Sequence, residues 1–551
     1  MNPVDPKRWR RDFPLLSVRV HGQPLVYLDN AATTQKPRSV IDAVNRFYKT
    51  GNANVHRGSH ALSAQATTAF EQARDRVAHW LGVDNSATLL WTRGTTESIN
   101  LVAQSWGRQH LRQDDLILLM QSAHHANIVP WQMLATATGA RIEVIPLQAD
   151  GDIDLAAYHR LLGRKPALVA LGHVSNALGT IYPVETLCRD AKAAGATVLV
   201  DGAQALPHFD VRLDTLGCDF YAFSGHKVFG PTGIGALWGR RELLEAMPPW
   251  QGGGEMIEQV SFDGTRYAGL PFKFEAGTPN IAGAIGLAAA IDYLDAQDRL
   301  AMETHEQALL QHALDACSQV PGFRPIASGS RRVSLISFEL DGHHQQDVAH
   351  WLDRQGVAVR AGHHCAMPLM QSLGLPGTLR ASFAFYNTLQ EAEQLAQALD
   401  QLAQSQKSTV PVADLEQSDY QSALKGVYSA TDWTSRYQAL MRLGQASPPL
   451  SPALKQDHFL LPGCESRVWL ITELDDTGHL NCRADADARI LRALLTLLLD
   501  QVNGLTPAQL LATDLEDKLS QLDIQRHLSP SRGNGLLAII RALQAFARTQ
   551  D

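Results

Sequence analysis

The sequence predicts an α/β protein: a mostly parallel sheet covered by helices, a smaller α+β domain after it, and a separate C-terminal domain. Three observations predict this. Between about residues 80 and 240, short apolar runs alternate with helix-like segments, which is the rhythm of βαβ units. After about residue 300 helices and strands mix without that rhythm. A polar stretch at 404–419, containing Gln404-Ser405-Gln406-Lys407-Ser408-Thr409, has the composition of a linker.

Taken in order, Leu89–Thr92 is a strand that closes into Gly94-Thr95-Thr96-Glu97, a turn opening a helix. The strand Leu116–Leu119 leads to His124-His125-Ala126-Asn127. The apolar run Ala167–Val174 ends in Ser175-Asn176, the helical Val184–Ala194 follows, and the strand Thr197–Val200 ends in Asp201. Open parallel sheets place their working residues at such carboxyl ends. Ala301–Gln319 and Gln390–Ala403 are predicted helices, and Val333–Phe338 is a strand. Beyond the linker, Tyr437–Leu443, Arg489–Val502 and Gly535–Arg548 read as helices and Val468–Thr472 as a strand.

Composition bounds the function. Of 551 residues, 45% are hydrophobic and 19% charged, enough for a sizeable core. A net charge of −8 with no basic run gives no footprint for nucleic acid. The stretches Ile281–Ile291 and Leu491–Leu499 fall short of the ~20 apolar residues a membrane span needs. Lys7, Arg8, Arg10 and Arg11 are followed by no apolar core, so neither a secretory signal nor a membrane is expected, and a cytoplasmic location is. Six cysteines lack the CxxC spacing of zinc sites, so no metal site is expected, and any reactive cysteine must owe its reactivity to its surroundings.

The strongest local signal is Ser224-Gly225-His226-Lys227, followed by Gly230-Pro231-Thr232-Gly233-Ile234-Gly235. A Schiff-base lysine has a use for such neighbours, because its cofactor brings a phosphate that needs OH and NH donors and close backbone approach. Asp201 at a strand end can pair with a pyridinium nitrogen. The Gly94–Glu97 turn offers a helix N-terminus for phosphate, and His124 can stack on a ring. Taken singly, each has a blander meaning: Asp-Gly is a turn, Ser-Gly-His-Lys a loop, His-His a surface pair. Together, four strand ends of one segment meet four demands of one ligand.

Residues from about 20 to 402 resemble the class V aminotransferase family, and within it the group II cysteine desulfurases of the SufS/CsdA type. The resemblance rests on Tyr27-Leu28-Asp29-Asn30-Ala31-Ala32-Thr33, Asn54-Val55-His56-Arg57, Arg93–Glu97, His124–Trp131, the lysine segment, Phe274–Asn280 and Arg360-Ala361-Gly362-His363-His364-Cys365-Ala366. It implies a pyridoxal-phosphate (PLP) transferase of fold type I over 1–403. The large domain would be about 20–295, and the small domain would join the N-terminal segment to about 296–403. By resemblance, Lys227 links to the cofactor, Asp201 pairs with its pyridinium, Gln204 bonds its phenolic oxygen and His124 stacks on its ring. Thr96, Ser224 and His226 hold the phosphate, with Thr278 from the other subunit of a homodimer. Asn176 and Arg380 hold the carboxylate of L-cysteine. Cys365, whose neighbouring imidazoles and arginine favour a thiolate, takes the substrate sulfur as a persulfide while alanine leaves.

Residues 420–548 resemble the SufE/CsdE sulfur acceptors on Pro462-Gly463-Cys464-Glu465-Ser466-Arg467-Val468-Trp469-Leu470, Asp485–Ile490 and Leu528–Leu536. That implies that Cys464 takes the outer sulfur from Cys365, on the way to an iron–sulfur scaffold or another sulfur carrier. Cys482, outside the motif, reads as structural. Such acceptors usually occupy a separate chain, so the fusion is a departure from the pattern, and a tether of about 15 residues reaches at most ~50 Å. Two alternatives stay open at this stage: selenocysteine lyase activity, and a C-terminal domain that only docks or regulates.

Overall fold

A computed structural model describes residues 6–329, 331–405, 417–430, 433–461, 467–520 and 530–550. The chain divides into two compact units, 1–341 with 351–400, and 342–350 with 401–551.

The first unit is built on a seven-stranded sheet. Its strands are β1 (Leu89–Thr92), β2 (Leu116–Met120), β3 (Arg141–Ile145), β4 (Leu168–Gly172), β5 (Thr197–Asp201), β6 (Phe220–Ser224) and β7 (Gly235–Gly239). Their order is β1-β7-β6-β5-β4-β2-β3, and only β7 runs against its neighbours. Runs such as Leu-Ile-Leu-Leu-Met in β2 and Phe-Tyr-Ala-Phe-Ser in β6 are buried throughout. A parallel strand covered by helices on both faces requires such a run, because it has no solvent side to make polar. The predicted strand ends therefore lie within a residue or two of the observed ones.

The covering helices show the complementary pattern. Val184, Leu187, Cys188 and Ala191 form the buried stripe of α2 (Val184–Ala193), at helical spacing. Leu187 is fully buried, so truncating it to alanine costs about 2–5 kcal/mol. Helix α1 (Thr95–Val102) starts after Gly94, whose φ of 147° is a conformation glycine tolerates. Helix α3 (Ile281–Asp295) is capped by the Asn280 side chain, which accepts from Gly283 N.

A separate four-stranded antiparallel sheet also belongs to this unit. It comprises β8 (Phe323–Pro325), β9 (Leu335–Leu340), β10 (Arg360–Gly362) and β11 (Thr378–Ser382), in the order β8-β9-β11-β10. The N-terminal segment is pinned to it by aromatic packing, with the rings of Phe13 and Tyr386 4.5 Å apart. Between β10 and β11, α4 (Met367–Ser372) follows the Cys365 loop.

The second unit contains helices α5 (Gln417–Ser429), α6 (Trp433–Ala446), α7 (Arg489–Val502) and α8 (Pro530–Arg548), with the antiparallel pair β12 (Val468–Ile471) and β13 (Arg483–Ala486). Its own core includes Leu440, Leu443, Ile490, Leu494, Leu497 and Ile539. Cys482 is buried in it. Cys464 and the middle of the predicted linker lie outside the described residues.

Candidate active site

A cavity of about 260 Å³ opens at the carboxyl ends of the large sheet. Lys227, His124, Asp201, Gln204, Ser224, His226, Thr96, Asn176, Arg380 and Cys365 all line it. Eleven of the twelve residues singled out from sequence fall on described positions, and ten of these meet here. The eleventh, Thr278, is exposed and lines a second hollow beside Trp91, Arg93 and Glu275.

Several of these side chains sit at or just beyond strand ends. Asp201 is the last residue of β5 and Ser224 the last of β6, and Lys227 lies one turn further on. Ser224 Oγ accepts from Thr95 N at 2.9 Å and lies 2.9 Å from Thr95 Oγ1. This bond draws the first turn of α1 to the lysine loop. The reversed β7 packs between β1 and β6. A Cβ on Gly235 would meet Phe223 O at 2.4 Å and Gly94 Cα at 2.6 Å, so three backbone segments touch where a methyl group has no room.

Burial sets the charges. It lowers the Lys227 amine to about 8, against the opposing pull of Asp201. It raises the Asp201 carboxyl, opposed by the Ala203 N–H, which donates at 3.0 Å, and by Lys227. Burial, then Lys227, lowers His124 to about 3, and its Nδ1 accepts from Ala126 N at 3.0 Å. His226 is likewise lowered to about 4 by burial, then by Lys227. The imidazole that faces the cavity from His124 is therefore neutral near pH 7.

Arg380 sits in a preassembled hydrogen-bonded corner. Arg380 donates from Nη1 to Asn176 O at 2.9 Å and from Nη2 to Asp29 Oδ1 at 3.2 Å. Its Nε is buried with no partner among the described residues. Burial lowers this guanidinium to about 10, against the pull of Asp29. Arg360 stands directly opposite Arg380 across β10 and β11 and also binds Asp29, at 3.0 Å. Like charges in that cross-strand position repel, and the Asp29 carboxylate between them offsets the repulsion. Asn176 Nδ2 donates to His364 O at 2.6 Å, and Gln204 Nε2 to Ala31 O at 2.7 Å.

Sequence reasoning missed Asp29 as the bridge between the arginines and Lys36 as an anchor. Lys36 Nζ donates to His226 O at 2.8 Å and to Thr34 O at 2.6 Å, holding the turn before Lys227. Both residues sit in the quoted N-terminal run or beside it, but nothing in their spacing points nearly 200 or more residues along the chain. Cys365 is exposed, whereas Cys188, Cys218, Cys317 and Cys482 are buried.

The residues present fit pyridoxal phosphate. A half-buried carboxylate with one N–H donor, a half-buried amine and a neutral imidazole line one cavity with a hydroxyl-bearing helix start.

Comparisons agree. Residues 26–395 match the class-V aminotransferase family, and 421–547 match SufE, the Fe-S metabolism associated domain. A probable cysteine desulfurase of Vibrio cholerae is 53% identical over 71% of this chain and 96% of its own length. A cysteine desulfurase of Pectobacterium atrosepticum is 50% identical over 72% and 97%. The crystal structure of the cysteine desulfurase CsdA from Escherichia coli superposes with a TM-score of 0.68 at 44% identity, covering 74% of this chain and all of that one. The chain thus belongs to the class-V aminotransferase family, among the cysteine desulfurases, and carries a SufE domain behind its catalytic unit.

Proposed function

We propose that this chain moves the sulfur of free L-cysteine onto Cys365, releasing L-alanine, and then onto Cys464 of its own SufE domain. The observation that carries this is the single cavity shared by Lys227, Asp201, Arg380 and the exposed Cys365. Lys227, His124, Asp201, Gln204, Thr96, Ser224 and His226 are the residues that would hold pyridoxal phosphate, with Thr278 supplied by a second copy in a homodimer. Bound there, the cofactor supplies an electron sink that labilises bonds at the substrate's Cα.

The protein's own groups do the rest. Arg380 and Asn176 receive the substrate carboxylate, and the guanidinium keeps N–H donors beyond the two given to Asn176 O and Asp29. With the Lys227 amine lowered to about 8, Nζ exchanges the Cα proton near neutral pH. The Cys365 thiolate attacks the substrate sulfur: an S–S bond forms, the Cβ–S bond breaks, and the electron pair leaves with carbon, which is protonated to alanine. Cys464 thiolate then attacks the outer sulfur, leaving Cys365 as a thiol and Cys464 as the persulfide. A tether puts the acceptor at roughly millimolar effective concentration.

The protein would work in the cytoplasm and deliver to an iron–sulfur scaffold or a related sulfur carrier. The test is alanine and sulfide release from cysteine with and without reductant, together with mass spectrometry of both cysteines. A +32 Da adduct at Cys365 and then at Cys464 is expected. Absence of the Cys464 adduct would end the relay, and absence of both would end the desulfurase reading.

A further inference from the structure

His364 and Cys365 both have left-handed backbones, with φ of 53° and 55°. Two successive non-glycine residues in that region are costly, and persist only where surrounding structure holds them. Ala366 N closes this turn by donating to His363 O at 2.8 Å, His364 Nε2 lies 2.9 Å from Thr378 Oγ1, and four more hydrogen bonds among the described residues support it. Cys365 N donates to His363 Nδ1 at 3.0 Å, and His125 N donates to Cys365 O at 2.7 Å. Met367 N donates to His125 Nε2 at 3.0 Å, and Asn176 Nδ2 donates to His364 O at 2.6 Å. Two of these four acceptors are imidazole nitrogens, one from the loop after β2 and one from the loop after β10. The rings of His125 and His363 lie 5.4 Å apart, and a nitrogen of each lies within 4.8 Å of the other and of Cys365 Sγ.

Two imidazoles and a thiol at that distance also resemble a cation site. The donor chemistry argues otherwise. A metal-bound imidazole donates its far N–H to an acceptor, whereas here each ring turns a lone pair toward a backbone N–H. The arrangement is that of a clamp on the backbone around sulfur.

Resting on the desulfurase reading above, we propose that His125 and His363 are positioning residues that fix the Cys365 turn, so that Sγ meets the substrate sulfur in line. His125 adjoins His124, so one strand-end loop carries both the cofactor-facing imidazole and the clamp on the nucleophile. The role requires an acceptor at the position of His125 Nε2 and another at that of His363 Nδ1. A glutamine carbonyl reaches the first position and an asparagine carbonyl the second.

The experiment uses the cofactor-loaded full chain and four variants: His125→Leu, His125→Gln, His363→Leu and His363→Asn. Three quantities are read: persulfide formed at Cys365 in a single turnover, the cofactor's absorbance change on adding cysteine, and thermal unfolding. The leucine variants are expected to slow persulfide formation roughly tenfold to a hundredfold, the penalty of a misplaced reacting group. The absorbance change on adding cysteine should persist. The glutamine and asparagine variants should recover most of the rate. Equal rates in the leucine and amide variants, whether both fast or both slow, would overturn the clamp. If His125→Leu does not fold, the His363 pair decides in the same way. Failure of the wild type to form any persulfide would instead overturn the functional reading.

Discussion

Two cysteine environments in the same unit make an instructive contrast. Cys188 lies on the buried stripe of α2 and Cys218 just before β6, where burial raises Cys188 to about 12 and also raises Cys218 well above the usual thiol range. Cys365 lies exposed on a turn held by hydrogen bonds, with two imidazoles near its sulfur. The first pair works as small apolar filling, and the second environment suits sulfur chemistry. Thiol reactivity in this chain depends on how the surroundings treat charge and access.

The largest expected effect comes from removing the nucleophile. Cys365→Ser should abolish alanine release, whereas Cys188→Ala should leave it within about twofold once the cofactor is bound, since buried thiols are chemically inert. Parity of the two variants in an alanine assay would erase the contrast. Next comes labelling. Iodoacetamide on the native protein at pH 7 should modify Cys365 at least ~100-fold faster than Cys188 or Cys218, because the thiolate fraction falls tenfold per pH unit below the pKa. Peptide mapping after short exposure measures this.

A smaller effect should follow from the last cysteine in the relay. Cys464→Ser should still load one persulfide per Cys365 but turn over more slowly, roughly tenfold or more, because release must then await an outside acceptor. Turnover equal to wild type would remove Cys464 from the path. The lysine offers a pH-dependent check. A basic group lowered by burial is neutral above its pKa, so covalent uptake of pyridoxal phosphate by cofactor-free protein should accelerate as pH rises through about 8. A rate still climbing with an ordinary lysine's midpoint, near 10, would refute the lowered value. The smallest effect is structural: Cys317→Ala should cost about 1 kcal/mol in urea unfolding through the void it leaves, with turnover unchanged.

Much of this architecture was legible in the sequence because a parallel sheet buried on both faces writes itself as continuous apolar runs. Leu89–Thr92 and Arg489–Val502 are observed with the bounds read from the pattern. The lysine segment stood out only in company, because Asp201, the Gly94–Glu97 turn and His124 fall at other strand ends of the same segment. What stayed hidden lies between distant segments. Asp29 reaches Arg380 across 351 positions and His125 reaches Met367 across 242, and no local pattern encodes such partners. Nor does sequence announce that His364 and Cys365 are left-handed, because that conformation is imposed by the bonds around it. Thr278 illustrates a further limit. Its expected role needs a second copy of the chain, and within one copy it faces a different hollow.

The contact of Gly235 with Gly94 and Phe223 has a consequence for how this catalyst could change over generations or in an engineer's hands. Main chain meets main chain there, so no change of rotamer can make room for a larger residue. One added methyl at Gly235 would wedge the Gly94 turn away from Ser224, and the helix that starts there would carry the displacement along its length. Variation is therefore closed off at this contact, while the first turn of α1 depends on it for its place beside the lysine loop.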